Sequence, residues 1–192
     1  SVDPAAADAI IRGPIAGALL GVVFGHYSTD DFNGDGYNDL LVGAFGETYV
    51  GATAGAVYLF YGPIAGAYTS ADADAAWYGS TASGEAADAG TAGDFNGDGV
   101  TDIVIGSDGS NFGGSRRGAA YIYYGPVAGP YLLDDAHLIL HGSADGDEVG
   151  FWVAGVGDGD GDGFDDLALT APWDDEGGTD AGAVFVCRGT GL

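Results

Sequence analysis

Carboxylate and amide side chains recur at a fixed spacing in three short stretches of this chain, and their oxygen atoms are suited to holding a metal ion. The stretches cover residues 31–39, 94–102 and 158–166, and each follows the pattern D-x-[DN]-x-D-G-x-x-D. Oxygen-bearing side chains stand at positions 1, 3, 5 and 9, and a glycine stands at position 6, where a sharp turn requires positive φ. Because Ca²⁺ prefers hard oxygen ligands at alternate loop positions, the pattern predicts one calcium site per loop.

The predicted ligands are the side-chain oxygens at positions 1, 3, 5 and 9 and the backbone carbonyl at position 7. They are Asp31, Asn33, Asp35, Tyr37 and Asp39, then Asp94, Asn96, Asp98, Val100 and Asp102, then Asp158, Asp160, Asp162, Phe164 and Asp166. Without a cation, each pair of carboxylates at about 4 Å costs roughly 4 kcal/mol at an effective dielectric constant near 20. The alternative interpretation is three metal-free surface turns rich in Asp and Gly. Threefold repetition favours the metal sites.

The residues after these loops predict strands. An EF-hand loop needs a bidentate glutamate at position 12, but here that position holds Val42, Ile105 and Leu169. Each of these lies in a short apolar run rich in branched side chains, which is typical of a buried strand. The loops are therefore interpreted as turns between strands of a sheet.

The chain is an internal repeat. The loops begin 63 and 64 residues apart, and a second marker, at residues 55–62, 118–125 and 182–189, keeps the same steps. One domain, 1–192, is therefore predicted to hold three repeats, at approximately 8–71, 72–134 and 135–192. Four short apolar stretches per repeat predict an all-β fold of three four-stranded antiparallel sheets, which are the blades of a β-propeller.

The first strand-like segment, residues 8–13, resembles the fourth strand of a repeat that would precede the first. Residues 12–17 also resemble residues 61–66 and 124–129, which leaves open that the segment is instead the end of a third strand. Propellers have four to eight blades. Three repeats thus predict a partial ring, either part of a longer propeller or half of a ring that two copies complete by self-association.

Charge limits the partners of this protein. The sequence holds 29 acidic residues and four arginines, giving a net charge of −25, and it has no lysine. Since phosphate backbones and anionic lipids attract basic surfaces, neither nucleic acid nor membrane insertion is expected. The calcium loops predict an extracellular, secreted or cell-surface location, where calcium is abundant. Cys187 is the only cysteine, and its apolar surroundings in sequence predict an inert buried thiol.

The repeats resemble the FG-GAP repeats of integrin alpha-subunit propellers and their bacterial relatives. The first repeat has Phe24-Gly25 before the calcium loop and Gly43-Ala44-Phe45 after the next strand. The matching positions hold Ala87-Asp88 and Gly106-Ser107-Asp108 in the second repeat, and Phe151-Trp152 and Thr170-Ala171-Pro172 in the third. The calcium-loop pattern is complete in all three repeats, whereas the Phe-Gly and Gly-Ala-Pro-like motifs after which the family is named are only partly present.

The resemblance implies a seven-bladed ring in which structural calcium rigidifies the turn between the first and second strands of each blade. It also implies that partners bind at the other end of the blades. The loops there join strand two to strand three, at residues 46–54, 108–117 and 173–181, and strand four to strand one.

The sequence patterns fit three functions to different degrees. The favoured prediction is a calcium-stabilised module for recognition of a protein or glycan, in which Arg116, Arg117 and Trp173 are candidate ligand-binding residues. The arginines could instead pair with nearby acidic residues, and the tryptophan could pack at a blade edge. The second is a structural or self-assembling fragment with no ligand of its own. An enzyme, or an accessory domain of a secreted hydrolase, is less favoured, because His137 and His141 lie about 13 Å apart on a strand and form no catalytic pair.

Overall fold

The computed structural model of the chain describes residues 7–21, 31–83, 86 and 89–189. It is built from short strands joined by turns, as the branched apolar runs predict. The strands are β1 Ala9–Arg12, β2 Leu40–Ala44, β3 Ala56–Phe60, β4 Gly66–Thr69, β5 Ala75–Tyr78, β6 Ala89–Gly93, β7 Asp102–Ser107, β8 Ala119–Tyr123, β9 Gly129–Leu132, β10 Leu138–His141, β11 Val153–Gly157, β12 Asp166–Ala171 and β13 Ala183–Cys187. Single 3₁₀ turns cover Ser70–Asp72 and Leu133–Asp135. Within the described ranges, neither helical turn has the length or apolar character to span a membrane.

The all-β class is confirmed, and the sheets are those of propeller-type blades. The second sheet is the predicted four-stranded antiparallel blade, in the order β6-β7-β8-β10, and its fourth strand β10 comes from the first residues after the predicted boundary at 134. The third repeat forms the three-stranded antiparallel sheet β11-β12-β13. The first sheet takes β2 and β3 from the first repeat and β5 from just past the predicted boundary at 71, and its remaining strand is β9. The predicted first strand of this repeat lies largely outside the described residues. The pairs Phe24-Gly25 and Ala87-Asp88 lie wholly outside them.

One feature of the sheets corrects the sequence prediction of purely antiparallel blades. Strand β9 follows β8 of the second sheet along the chain but pairs with β5 of the first sheet, and the two strands are parallel. Strand β4 pairs with β1 in the same parallel manner. Strands β4 and β9 thus each come after the third strand of one sheet and pair with a strand that lies before that sheet in the chain. These edge strands tie neighbouring repeats together by backbone hydrogen bonds.

The two parallel pairs show to which strand of a blade β1 corresponds. Ala75 pairs with Gly129 in one, and Ala9 pairs with Gly66 in the other. The N–H of Gly66 donates to the carbonyl oxygen of Asp8 at 2.8 Å, and the N–H of Gly129 donates to that of Asp74 at 3.3 Å. Strand β1 therefore occupies the place of a fourth strand, as first predicted, and not the end of a third strand.

The apolar core lies between adjacent sheets. Trp77 is fully buried between the first and second repeats, where its ring stacks on Tyr131 at 5.7 Å and contacts Tyr123. A second cluster between the second and third repeats includes Val104, Ile122 and Leu169. A third packs beneath β1 and β4 on the outer face of the first repeat, around Tyr58 and Phe60. Since both faces of the middle sheet are covered, its central strands β7 and β8 are buried along their whole length rather than at alternate residues.

Candidate metal-binding loops and the loops at the other end of the blades

The acidic loops are closed by their own first side chain. In the second repeat, Asp94 Oδ1 accepts from the N–H groups of Gly97 at 2.8 Å and Asp98 at 3.1 Å, and its Oδ2 accepts from that of Gly99 at 2.9 Å. Asp31 and Asp158 make the same three contacts in their loops. The three loops therefore share one backbone path, wound around the carboxylate at position 1.

Two glycines in each loop make this path possible. Position 6 has positive φ, as predicted, with values of 89°, 82° and 96° at Gly36, Gly99 and Gly163. Position 4 is also a glycine with positive φ in all three loops, at 75°, 74° and 81°. Only glycine adopts this conformation without strain. The glycine common to position 4 was a signal in the sequence that the prediction did not use.

The aspartate at position 9 is buried and joins the loop to the strands behind it. Asp102 is 0% exposed, and its two oxygens accept from the N–H groups of Phe95 at 3.0 Å and Gly125 at 2.9 Å. Asp39 and Asp166 make the corresponding pairs of bonds. Burial raises the pKa of Asp102, and the hydrogen bonds from backbone groups oppose that rise. Position 9 thus anchors the loop, and its part in holding a metal stays a prediction.

The third loop gathers three carboxylates. Oxygens of Asp158, Asp160 and Asp162 all lie within 4.8 Å of one another. No other group of three His, Cys, Asp or Glu side chains comes so close in the part of the chain that the structure describes. Arg188 lies nearby, with its Nη1 atom 3.1 Å from Asp160 Oδ2. This set of hard oxygen donors suits a divalent cation such as Ca²⁺ or Mg²⁺.

The first two loops hold an amide in place of one carboxylate. Asn33 Nδ2 donates to Asp35 Oδ2 at 3.1 Å, and Asn96 Nδ2 donates to Asp98 Oδ2 at the same distance. At position 7, the N–H groups of Tyr37, Val100 and Phe164 donate to the aspartate at position 5 of their loop. The first two loops therefore carry less negative charge than the third.

Adjacent loops are also joined to each other. Asp165, at position 8 of the third loop, accepts at its Oδ2 from the N–H of Asp94 at 2.8 Å, and its own N–H donates to the Asp94 carbonyl at 2.9 Å. Thr101, at position 8 of the second loop, lies at the limit of hydrogen-bond distance, 3.5 Å, from the Asp31 carbonyl. Position 8 was not predicted to matter, because its partner is some 70 residues away in sequence.

The predicted ligand-binding arginines form ion pairs at the other end of the second repeat. Arg116 Nε lies 2.7 Å from Glu148 Oε1, and Arg117 Nε lies 2.7 Å from Asp145 Oδ1. The Arg117 contact lowers the pKa of Asp145. These pairs are the structural alternative that the sequence analysis left open. A further role in ligand binding stays a prediction.

Trp173 is 39% exposed, and its ring meets Phe151 edge to face at 5.4 Å. Trp173 is thus partly packed against Phe151 and partly open to solvent. It does not lie beside the arginines in sequence or in the contacts described, so the structure does not gather the three predicted residues into one site.

A pocket of about 310 Å³ lies between the first and second repeats at this end of the sheets. Polar side chains line much of it, joined by Phe112 and the ring of Tyr121. Ser110 Oγ and Tyr121 Oη share a hydrogen bond of 2.8 Å. The polar lining residues include Ser80, Thr81, Ser107, Asn111 and Asp134. Sequence reasoning missed this pocket, because its two walls come from loops about 30 residues apart.

His137 lies just before β10 and His141 ends it, and the ring of each contacts a backbone group. His137 Nδ1 accepts from the N–H of Tyr124 at 2.9 Å, and His141 Nδ1 lies 2.9 Å from the Gly142 carbonyl. Cys187 is only half-buried, less than the buried thiol that the sequence predicts, and this burial raises the pKa of its thiol. That the thiol is inert stays a prediction. His26 lies outside the described residues.

Comparison with known proteins agrees with the repeat structure. The FG-GAP repeat model matches residues 28–60, 86–123 and 150–187. Phosphatidylinositol-glycan-specific phospholipase D from Rattus norvegicus is 30% identical over 185 residues, which cover 91% of this chain and 22% of that protein. Integrin alpha-5 from Xenopus laevis is 36% identical over 101 residues, 50% of this chain and 9% of that protein. Integrin alpha-PS2 from Drosophila melanogaster is 31% identical over 170 residues, 82% of this chain and 12% of that protein. The chain thus spans less than a quarter of the length of these relatives.

Proposed function

This chain belongs to the FG-GAP repeat family, and we propose that it is a calcium-stabilised β-propeller module that recognises a protein or glycan outside the cell. The observation that carries the proposal is the threefold acidic loop, whose backbone is wound identically in each repeat. The carboxylate cluster of the third loop adds support. Integrin alpha subunits are among the relatives, which favours recognition over catalysis.

Calcium would be held by one loop in each repeat, giving three sites. The donors would be the oxygens at positions 1, 3, 5, 7 and 9, as predicted from the sequence. When bound, the ion supplies positive charge that offsets the repulsion between neighbouring carboxylates. The chain's own groups hold the loop in shape: position 1 closes the turn, and position 9 fastens it to the third strand. The ion is thus structural in this proposal.

Recognition is assigned to the end of the blades away from the calcium loops. Each acidic loop precedes the second strand of its blade and each recognition loop follows it, so the two lie at opposite ends of that strand. The pocket between the first two repeats combines hydroxyl, amide and carboxylate groups with two aromatic rings. Such a lining suits a sugar ring, which offers both hydroxyl groups and an apolar face. Arg116 and Arg117 follow pocket residues in the same loop, and Trp173 lies in the equivalent loop of the third repeat, so they would offer separate contacts to a partner.

The calcium part is tested by native mass spectrometry and by thermal unfolding in calcium and in EDTA. We expect three bound ions and a lower melting temperature in EDTA. The triple change Asp158→Asn, Asp160→Asn, Asp162→Asn should remove one ion. Asp134→Asn, at an exposed aspartate outside the loops, is the control. Equal melting temperatures with and without calcium would contradict the proposal.

The recognition part is tested by screening immobilised glycans and extracellular protein domains. Binding should be lost with Asn111→Ala in the pocket and kept with Asp8→Asn, a control at an exposed aspartate outside the recognition loops. Absence of any ligand in such a screen would favour the second candidate, a purely structural module. Turnover assays on phosphoesters and polysaccharides address catalysis, since one relative is named a phospholipase D. We expect no turnover.

A further inference from the structure

The first two acidic loops begin with the same six residues, Asp-Phe-Asn-Gly-Asp-Gly, at 31–36 and 94–99. Each therefore contains an Asn-Gly pair, Asn33-Gly34 or Asn96-Gly97, and the sequence holds no other such pair. Because glycine has no side chain to shield its backbone nitrogen, that nitrogen can approach the side-chain carbonyl carbon of the preceding asparagine closely. Asn-Gly is for this reason the dipeptide most prone to lose its asparagine amide without an enzyme.

This reaction needs water and no other reagent. The backbone nitrogen of Gly34 would lose its proton and attack Cγ of Asn33, the bond from Cγ to the side-chain nitrogen would break, and ammonia would leave. The cyclic imide that results takes up a water molecule at either of its carbonyl groups. One opening gives aspartate. The other gives isoaspartate, in which the main chain runs through the former side chain and is longer by a methylene group.

The two Asn-Gly pairs are held in the same way by their own loops. The N–H of Gly34 donates to Asp31 Oδ1 at 2.7 Å, and the N–H of Gly97 donates to Asp94 Oδ1 at 2.8 Å. The amide of each asparagine also exchanges hydrogen bonds with the aspartate at position 5 of its loop. These bonds occupy both reacting groups, so the imide can form only when the loop opens locally.

The following repeat covers the two pairs unequally. Phe164, at position 7 of the third loop, lies so close to Gly97 that a Cβ atom there would collide with its ring. Val100 holds position 7 of the second loop and does not reach Gly34, where a Cβ atom would meet nothing within 4 Å beyond its chain neighbours. Both position-7 side chains lie within the described residues, so the difference arises inside the three repeats.

A cavity of about 310 Å³ lies between the first and second loops, at the place that corresponds to the Phe164 ring between the second and third. Its lining includes Asn33, Gly34, Gly99, Val100, Thr101 and Pro126. Asn33 is exposed, whereas Asn96 is partly buried. Water and an opening loop therefore have room beside the first pair that they lack beside the second.

The second loop is also tied more firmly to its neighbour. Asp165 Oδ2 accepts from the N–H of Asp94 at 2.8 Å, and the N–H of Asp165 donates to the Asp94 carbonyl at 2.9 Å. The corresponding contact of the first loop, from Thr101 to the Asp31 carbonyl, lies at the 3.5 Å limit. Local opening should thus cost less free energy in the first loop than in the second.

We propose that Asn33 is a site of spontaneous deamidation in the folded protein and that Phe164 protects the matching Asn96. Aspartate at position 33 gives the first loop the carboxylate that Asp160 supplies in the third loop. Isoaspartate instead lengthens the main chain inside a turn that successive N–H groups close on Asp31, so it disrupts that closure. The first loop therefore changes in charge or in shape as the protein ages.

The order of reaction is tested by incubating the native protein in mildly alkaline buffer with EDTA and analysing chymotryptic peptides by mass spectrometry. Exchange of the amide NH₂ for OH raises the peptide mass, and chromatography separates aspartate from isoaspartate. We expect Asn33 to react roughly tenfold faster than Asn96, or more. In urea the two rates should be equal, because the surrounding six residues are identical. EDTA makes the outcome independent of the calcium in the proposed function.

Substitutions at position 7 exchange the cover of the two pairs. Val100→Phe should place a ring beside Gly34 and slow the reaction of Asn33 roughly tenfold, without changing that of Asn96. Phe164→Val should accelerate the reaction of Asn96 by a similar factor. The pair that is not targeted reports on folding in each variant, because general unfolding would raise both rates. Equal native rates, an unreactive Asn33 in the native protein, or an Asn33 rate that Val100→Phe leaves unchanged would each overturn the proposal.

Discussion

At equivalent positions in successive repeats, different side chains accept the same backbone hydrogen bond. Asp74 Oδ2 accepts from the N–H of Tyr61 at 2.7 Å. In the next repeat His137 Nδ1 accepts from the N–H of Tyr124 at 2.9 Å. The histidine therefore replaces an aspartate acceptor, and the spacing of His137 and His141 reflects the strand between them rather than a metal site.

Replacing His137 by alanine leaves the Tyr124 N–H without its acceptor. We expect His137→Ala to lower the free energy of unfolding by about 1 kcal/mol, the usual worth of one such bond. His137→Asp restores the acceptor of the preceding repeat and should recover most of the loss. Urea unfolding followed by fluorescence measures both. Equal stability of the alanine and aspartate variants would contradict this account of His137.

The single thiol offers a second measurement at this scale. Burial raises the pKa of Cys187, so at a given pH less of the reactive thiolate is present than in the unfolded chain. We expect alkylation by iodoacetamide to be slower in the native protein, and its pH–rate midpoint to lie above that measured in urea. An identical midpoint in both states would show that the environment leaves the thiol unperturbed.

At the scale of the element, the acidic loops differ in charge although their backbones agree. The third loop has aspartates at positions 1, 3 and 5, whereas the first two have asparagine at position 3. Ligand charge is one of the properties that sets calcium affinity. The third loop should therefore be the tightest of the three sites.

This order is tested by making the first loop resemble the third. Asn33→Asp adds a carboxylate to the first loop, and we expect about a tenfold tighter site in calorimetric titration, together with a larger loss of stability in EDTA. Asp160→Asn should have the reverse effect on the third loop. The two changes alter charge in opposite directions at the same loop position, so they control for each other. A shift of the same sign in both would reject charge as the cause.

Much of these elements was predictable from the sequence. The acidic loops, the strands after them and the three repeats follow from local patterns with a constant step. Strands β4 and β9 were missed, because they are short, mostly exposed and lack apolar alternation. Their partners lie more than 50 residues earlier, so no local pattern indicates the pairing. The acidic partners of Arg116 and Arg117 were not predicted for the same reason, since Glu148 and Asp145 belong to the next repeat.

At the scale of the whole molecule, stability depends on the contacts between sheets. Trp77 lies in the apolar cluster between the first and second sheets. It is fully buried and stacks on Tyr131 from the edge strand β9. Its ring thus joins the sheet of the first repeat to residues of the second. Loss of such a ring from a core leaves both a cavity and two partners without contacts.

We expect Trp77→Ala to cost about 3–5 kcal/mol in the free energy of unfolding, as is usual for a buried aromatic side chain. Trp173→Ala, at a ring 39% exposed, should cost far less and serves as the matched control. Chemical unfolding monitored by far-ultraviolet circular dichroism measures both. Similar losses in the two variants would mean that the first junction contributes no more than the blade edge does.

The parallel edge strands also bear on how this protein emerges from the ribosome. Strand β5 is complete at Tyr78, but its outer neighbour β9 ends only at Leu132. At ordinary translation speeds of about 5–20 residues per second, the first sheet waits roughly 3–10 s for its last strand. During synthesis the first blade is therefore left open along one side until the following repeat has been made, and nascent chains on neighbouring ribosomes present that same unfinished border to one another.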